Sequence, residues 1–112
     1  MDKNTQEEMV SVVIDLNAAQ STEINESFLG MFGSWVQTIL GRAFGGPAVP
    51  VTIRGTQTQI KSFANTLQRE KSYIEAYNKY GLNDPKTYKS KAELKNAVGK
   101  FERATGIKWP FK

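Results

Sequence analysis

Apolar and polar positions alternate at the start of the chain. Val10, Val12, Ile14 and Leu16 fall on one side of a β-branched run, which predicts a strand over residues 10–16. Residues 17–22 are polar and turn-rich. From residue 23 to 44 the apolar period lengthens. Ile24, Phe28, Phe32, Trp35, Val36, Ile39, Leu40 and Ala43 recur at steps of three and four, which predicts a helix. Leu29 and Met31 widen its stripe, Ser21 or Thr22 suits its cap, and Gly45-Gly46-Pro47 stops it. Its interior glycines, Gly30, Gly33 and Gly41, each cost about 1 kcal/mol against alanine.

A second strand is expected over residues 49–54, with Val49, Val51 and Ile53 on one face. Pro50 cannot donate a ladder hydrogen bond, so this is an edge strand or a strand entry. Thr56-Gln57-Thr58-Gln59 is a capping box. The helix behind it sets Ile60, Phe63, Ala64, Leu67, Ile74 and Tyr77 on one side, and Gly81 stops it before an Asn83-Asp84-Pro85 turn. Ser90-Lys91-Ala92-Glu93 reads as a second capping box, with Leu94, Ala97, Val98, Phe101 and Ala104 as the stripe behind it and Gly106 as the end. Ile107, Trp109 and Phe111 form an apolar tail around Pro110.

The expected fold is α+β: two short strands and three helices in the order β-α-β-α-α. One domain spans residues 1–112, with a flexible arm over 1–8 and a sub-boundary at 45–47. The helical crossover lets the strands pair in parallel. Two strands alone make a poor sheet, so pairing between chains is an alternative.

Composition narrows the chemistry. The 112 residues include no cysteine and no histidine. Disulfides, thiolate and imidazole metal sites, cysteine nucleophiles and histidine bases are therefore excluded. The acids are dispersed: Glu70 and Glu75, five apart, do not share a helix face. No catalytic constellation, metal set or cofactor motif emerges, and no small-molecule substrate is evident. The expectation is a protein that is not an enzyme. The acidic, polar start does not read as a secretory signal.

Charge is segregated. Residues 1–50 hold six acids and two bases, a balance of −4, whereas residues 51–112 hold thirteen bases and five acids, a balance of +8. This split suggests that the second half faces a polyanion or an acidic protein, the alternative being a solvated surface that aids solubility. Lys86, Lys89, Lys91, Lys95, Lys100 and Arg103 are the candidate contacts to nucleic acid or an acidic partner. A helix start among them would attract phosphate. Tyr73, Tyr77, Tyr80 and Tyr88 suit stacking on bases, but their helical spacing favours covering the core. Arginine is scarce and no nucleic-acid motif appears, so contact with DNA or RNA would be non-specific.

Residues 27–41 carry no charge. Fifteen residues fall short of the roughly 20 that span a membrane, so membrane contact is not expected. Ser27, Gly30, Ser34, Thr38 and Gly41 line one side and would permit close approach of a helix. A helix apolar nearly all round needs more than one covered face, which favours self-association. Phe28, Phe32, Trp35 and Ile39, with Trp109 and Phe111 of the tail, are the candidate protein-interface residues. The tail either clasps its own core, with Phe101 or Ile107 as floor, or anchors in a neighbour.

Three blocks carry a resemblance: Val51-Thr52-Ile53-Arg54-Gly55-Thr56; Tyr80-Gly81-Leu82-Asn83-Asp84-Pro85; and Phe101-Glu102-Arg103-Ala104-Thr105-Gly106-Ile107-Lys108-Trp109-Pro110-Phe111. The stretch 51–112 resembles small proteins of tailed phages, notably T4-like phages of cyanobacteria. Ile24-Asn25-Glu26 also resembles the short cleavage sites of phage prohead proteases. The resemblance implies a phage origin, a place in the virion or host cytoplasm, and a structural, assembly or host-directed role. Expected partners are a second copy, other virion proteins, or DNA or RNA. The alternatives to a structural role are a sequence-independent nucleic-acid-binding accessory protein and an inhibitor of a host protein.

Overall fold

The computed structural model describes residues 12–16, 26–46 and 51–111. Its elements are β1 (Val12–Asp15), α1 (Glu26–Ala43), β2 (Val51–Arg54), α2 (Gln57–Tyr80) and α3 (Pro85–Thr105). This is the β-α-β-α-α order, a small α+β domain. The expected strand start at Val10, the turn over 17–22, Ile24 and Val49-Pro50 lie outside the described residues, as do the side chains of Val12, Phe28 and Leu29.

The strands pair in parallel, with Val12 opposite Val51 and Ile14 opposite Ile53. The alternation holds: Ile14 and Leu16 are buried while Val13 is exposed. α1 closes through a Schellman motif, in which the Gly46 N–H donates to the Gly41 carbonyl at 2.8 Å and the Gly45 N–H to that of Arg42 at 3.1 Å. Gly45 takes φ +95°, and a Cβ on Gly46 would meet the Gly41 carbonyl oxygen at 2.7 Å, so the glycine pair is a steric requirement of this stop.

α2 and α3 form an antiparallel hairpin. The Thr56–Gln59 capping box is present, with the Gln59 amide donating to Thr56 Oγ1 at 3.1 Å and the Thr56 amide to Gln59 Oε1 at 2.8 Å. The second capping box is not used. α3 starts six residues earlier, where Asp84 accepts from the Lys86 amide at 2.8 Å and Pro85 fits the first turn without needing a donor. Ser90 lies inside the helix, and Glu93 pairs with Arg69 across the hairpin at 3.3 Å.

The seam of the hairpin corrects the expected stripe. Phe63 is buried, but Ala64 and Tyr77 are exposed, while Gln59, Thr66 and Glu70 are buried. The polar side chains are tolerated because each has a partner. Thr66 Oγ1 reaches the Ser62 carbonyl at 2.7 Å and the Ala97 carbonyl at 3.2 Å. Thr87 does the same work at the turn, donating to the Gly81 carbonyl at 2.6 Å.

The tail folds back onto its own chain. Trp109 is 1% exposed and packs on Phe101 at 5.3 Å between ring centroids. Phe32 of α1 and Phe63 of α2 complete the aromatic cluster, at 6.2 and 6.1 Å from the Trp109 ring. Phe101 and Ile107, both fully buried, form the core floor beneath the tail. Trp109 thus joins all three helices.

Candidate functional site

The six expected interface residues separate. Phe32 and Trp109 lie in the core, so neither serves as an anchor in a neighbour while this fold stands. The reason is geometric: Gly33 lets Pro110 approach its helix, with a Cβ there only 3.3 Å from the proline ring, and the tail seats Trp109 against Phe32. Trp35, Ile39 and Phe111 are half-buried against the core, and the Phe28 side chain lies outside the described residues. The small-residue stripe faces outward. Gly30, Ser34, Thr38 and Gly41 are exposed, and nothing lies within 4 Å of a Cβ built on Gly30 or Gly41.

The six expected basic residues are all exposed on α3. At 3.6 residues per turn they divide into two flanks about the buried stripe of Thr87, Ala97 and Phe101. Lys86, Lys89, Lys100 and Arg103 follow one flank, and Lys91 and Lys95 the other. One continuous basic face is therefore not formed. The expected phosphate cradle at a helix start is also closed, because the Asp84 carboxylate occupies the first turn of α3.

A different cluster stands at the tip of the hairpin. Lys86 Nζ lies 4.5 Å from the Tyr80 ring centroid and Lys79 Nζ 5.4 Å from it. Tyr80, Tyr77 and Tyr88 are 38%, 45% and 56% exposed, so three of the four tyrosines do not cover the core. Leu82 is exposed beside them, and the Tyr88 hydroxyl donates to Asn83 Oδ1 at 3.3 Å. Lys79, Lys86 and Lys89 have no salt bridge among the described residues. The sequence names Tyr80 and Lys86 but does not join them: that needs the turn at 81–84. Lys79 and Leu82 give no signal of their own.

Along the hairpin from the tip, Glu70 is 5% exposed and accepts from the Trp109 indole N–H at 2.9 Å. Burial pushes its carboxyl above the ordinary glutamate value, and the indole hydrogen bond pulls it partly back. Glu102 receives the Trp109 backbone N–H at 2.9 Å. Both acids therefore hold the tail. No feature of the sequence links Glu70 to Trp109, 39 residues away.

No protein-family profile, curated protein or solved structure matches this chain. Among the described residues, no helix is long and apolar enough to cross a membrane.

Proposed function

We propose that this is a non-enzymatic binding protein that holds single-stranded nucleic acid, without sequence preference, on the tip of its helical hairpin. The observation that carries this reading is the exposed Tyr80 ring with the Lys79 and Lys86 ammonium groups 5.4 and 4.5 Å from its centroid, and Tyr77 and Tyr88 exposed on the same hairpin. Exposed rings stack on bases of any identity, each stack contributing about 1–3 kcal/mol. The lysines meet the phosphates and release counterions. Duplex DNA hides its base faces, so single strands are preferred.

Titration of fluorescent single-stranded DNA, duplex DNA and RNA with the full chain tests this. Micromolar binding to single strands, weakened by salt and by Tyr80→Ala, is the expected result. Absence of binding even at low salt overturns it.

A second reading is a phage structural or assembly protein acting through protein contacts, in the virion or the host cytoplasm. The outer side of α1 favours it. Met31 is about half exposed, and the half-buried Trp35 and Ile39 follow it at helical spacing on the same flank. An apolar face of this kind suits a second copy or another virion protein.

A further inference from the structure

A cleft of about 310 Å³ opens between α2, α3 and the tail, apart from the hairpin tip. That is the lower end of the size range of small-molecule sites, roughly 300–1,000 Å³. Its walls include Leu94, Val98, Trp109 and Phe111, with Tyr73 on the α2 side. Two polar features break this apolar lining. Glu70 is a buried carboxyl whose Oε1 is taken by the Trp109 indole, while Oε2 has no hydrogen-bond partner among the described residues. Lys91 and Lys95 stand on the exposed side of α3 and also line the cleft, so two cations flank its opening. Glu102 is the other acid of the lining, and its carboxylate is already committed to the Trp109 backbone N–H at 2.9 Å.

A buried acceptor left half-satisfied calls for a donor, and a lining that holds two half-buried rings, Tyr73 and Phe111, beside Leu94 and Val98 calls for an apolar ring. The two lysines call for an anion at the outer end. We propose that this cleft binds a small hydroxyaryl carboxylate: its ring lies against Phe111, Leu94 and Val98, its hydroxyl donates to Glu70, and its carboxylate meets Lys91 and Lys95. The raised carboxyl of Glu70 agrees with a site dry enough for one hydrogen bond to discriminate between ligands.

The test uses the full-length chain and the indole N–H resonance of Trp109 in a proton–nitrogen correlation spectrum. The Trp35→Phe variant assigns that resonance. The probes are 4-hydroxyphenylacetate, phenylacetate, which lacks the hydroxyl, and 4-hydroxyphenylethanol, which lacks the carboxylate. 4-Hydroxyphenylacetate is expected to shift the Trp109 resonance saturably in the millimolar range. Each of the other two is expected to bind about tenfold more weakly, as for the loss of one charge-assisted hydrogen bond. The double variant Lys91→Gln with Lys95→Gln, at exposed positions that leave the core intact, is expected to bring 4-hydroxyphenylacetate down to the level of the alcohol. No shift at Trp109, equal affinities for the three probes, or undiminished binding by the double variant would each overturn the proposal.

Discussion

At the scale of single residues, the tail is fixed by hydrogen bonds from one tryptophan to two glutamates. The Trp109 indole donates to Glu70 and its backbone amide to Glu102. Because burial raises the Glu70 carboxyl in the folded state, the folded chain holds that proton more tightly than the unfolded chain does. Stability therefore falls as pH rises from the ordinary glutamate range through the raised folded value. Tyr73, Lys91, Lys95 and Glu102 line the same cleft, but Gln at position 70 removes only the proton at issue. In urea titrations across that window, the wild-type chain is expected to lose stability with pH and Glu70→Gln to show no such slope at this site. Trp109→Ala leaves a cavity among Phe32, Phe63 and Phe101 and is expected to cost about 3–5 kcal/mol by the same measurement.

At the scale of elements, the starts and stops of the helices are chemical. Asp84 caps α3, so Asp84→Ala is expected to cost about 1 kcal/mol, with a lower Tm, and Asp84→Asn far less. Ser90 caps nothing, and Ser90→Ala is expected to change stability by no more than about 0.5 kcal/mol. In α1, Gly30 faces open space, and Gly30→Ala is expected to stabilise by about 0.5–1 kcal/mol. Gly33→Ala is expected to gain less, because its Cβ meets Pro110 at 3.3 Å and the tail has to give way. A thermal melt of the two variants side by side checks the difference.

At the scale of the whole molecule, three lysines, Lys79, Lys86 and Lys89, share one end of the helical hairpin with three exposed tyrosines. If Lys79, Lys86 and Lys89 each neutralise one phosphate, the logarithm of the affinity for single strands should fall against the logarithm of salt with a slope of about −2. Lys86→Gln should make that slope shallower by about 0.7, whereas Tyr80→Ala should lower affinity at every salt concentration and leave the slope unchanged. For the protein-contact reading, Met31→Glu changes an exposed position, so the fold should persist by circular dichroism. Any concentration-dependent rise in mass seen by sedimentation equilibrium in the wild type should then shrink.

Local physics made much of the architecture readable in the residues themselves. The alternation that buries Ile14 and Leu16, the Gly45-Gly46 stop, the Thr56–Gln59 box and the Gly106 end depend on neighbours only a few positions apart. The order β-α-β-α-α followed from them. What tertiary structure decided involves partners distant in sequence. Glu70 and Thr66 enter the seam of the hairpin because Trp109 and Ala97 supply their hydrogen bonds, which periodicity does not encode. Phe32 and Trp109 look the same in sequence whether they anchor a neighbour or one another, and the return of the tail over Gly33 settled that. The lysines of α3 form a run in sequence but two flanks in space, because a helix turns 3.6 residues at a time. Tyr80 and Lys86 meet because the turn at 81–84 reverses the chain between them.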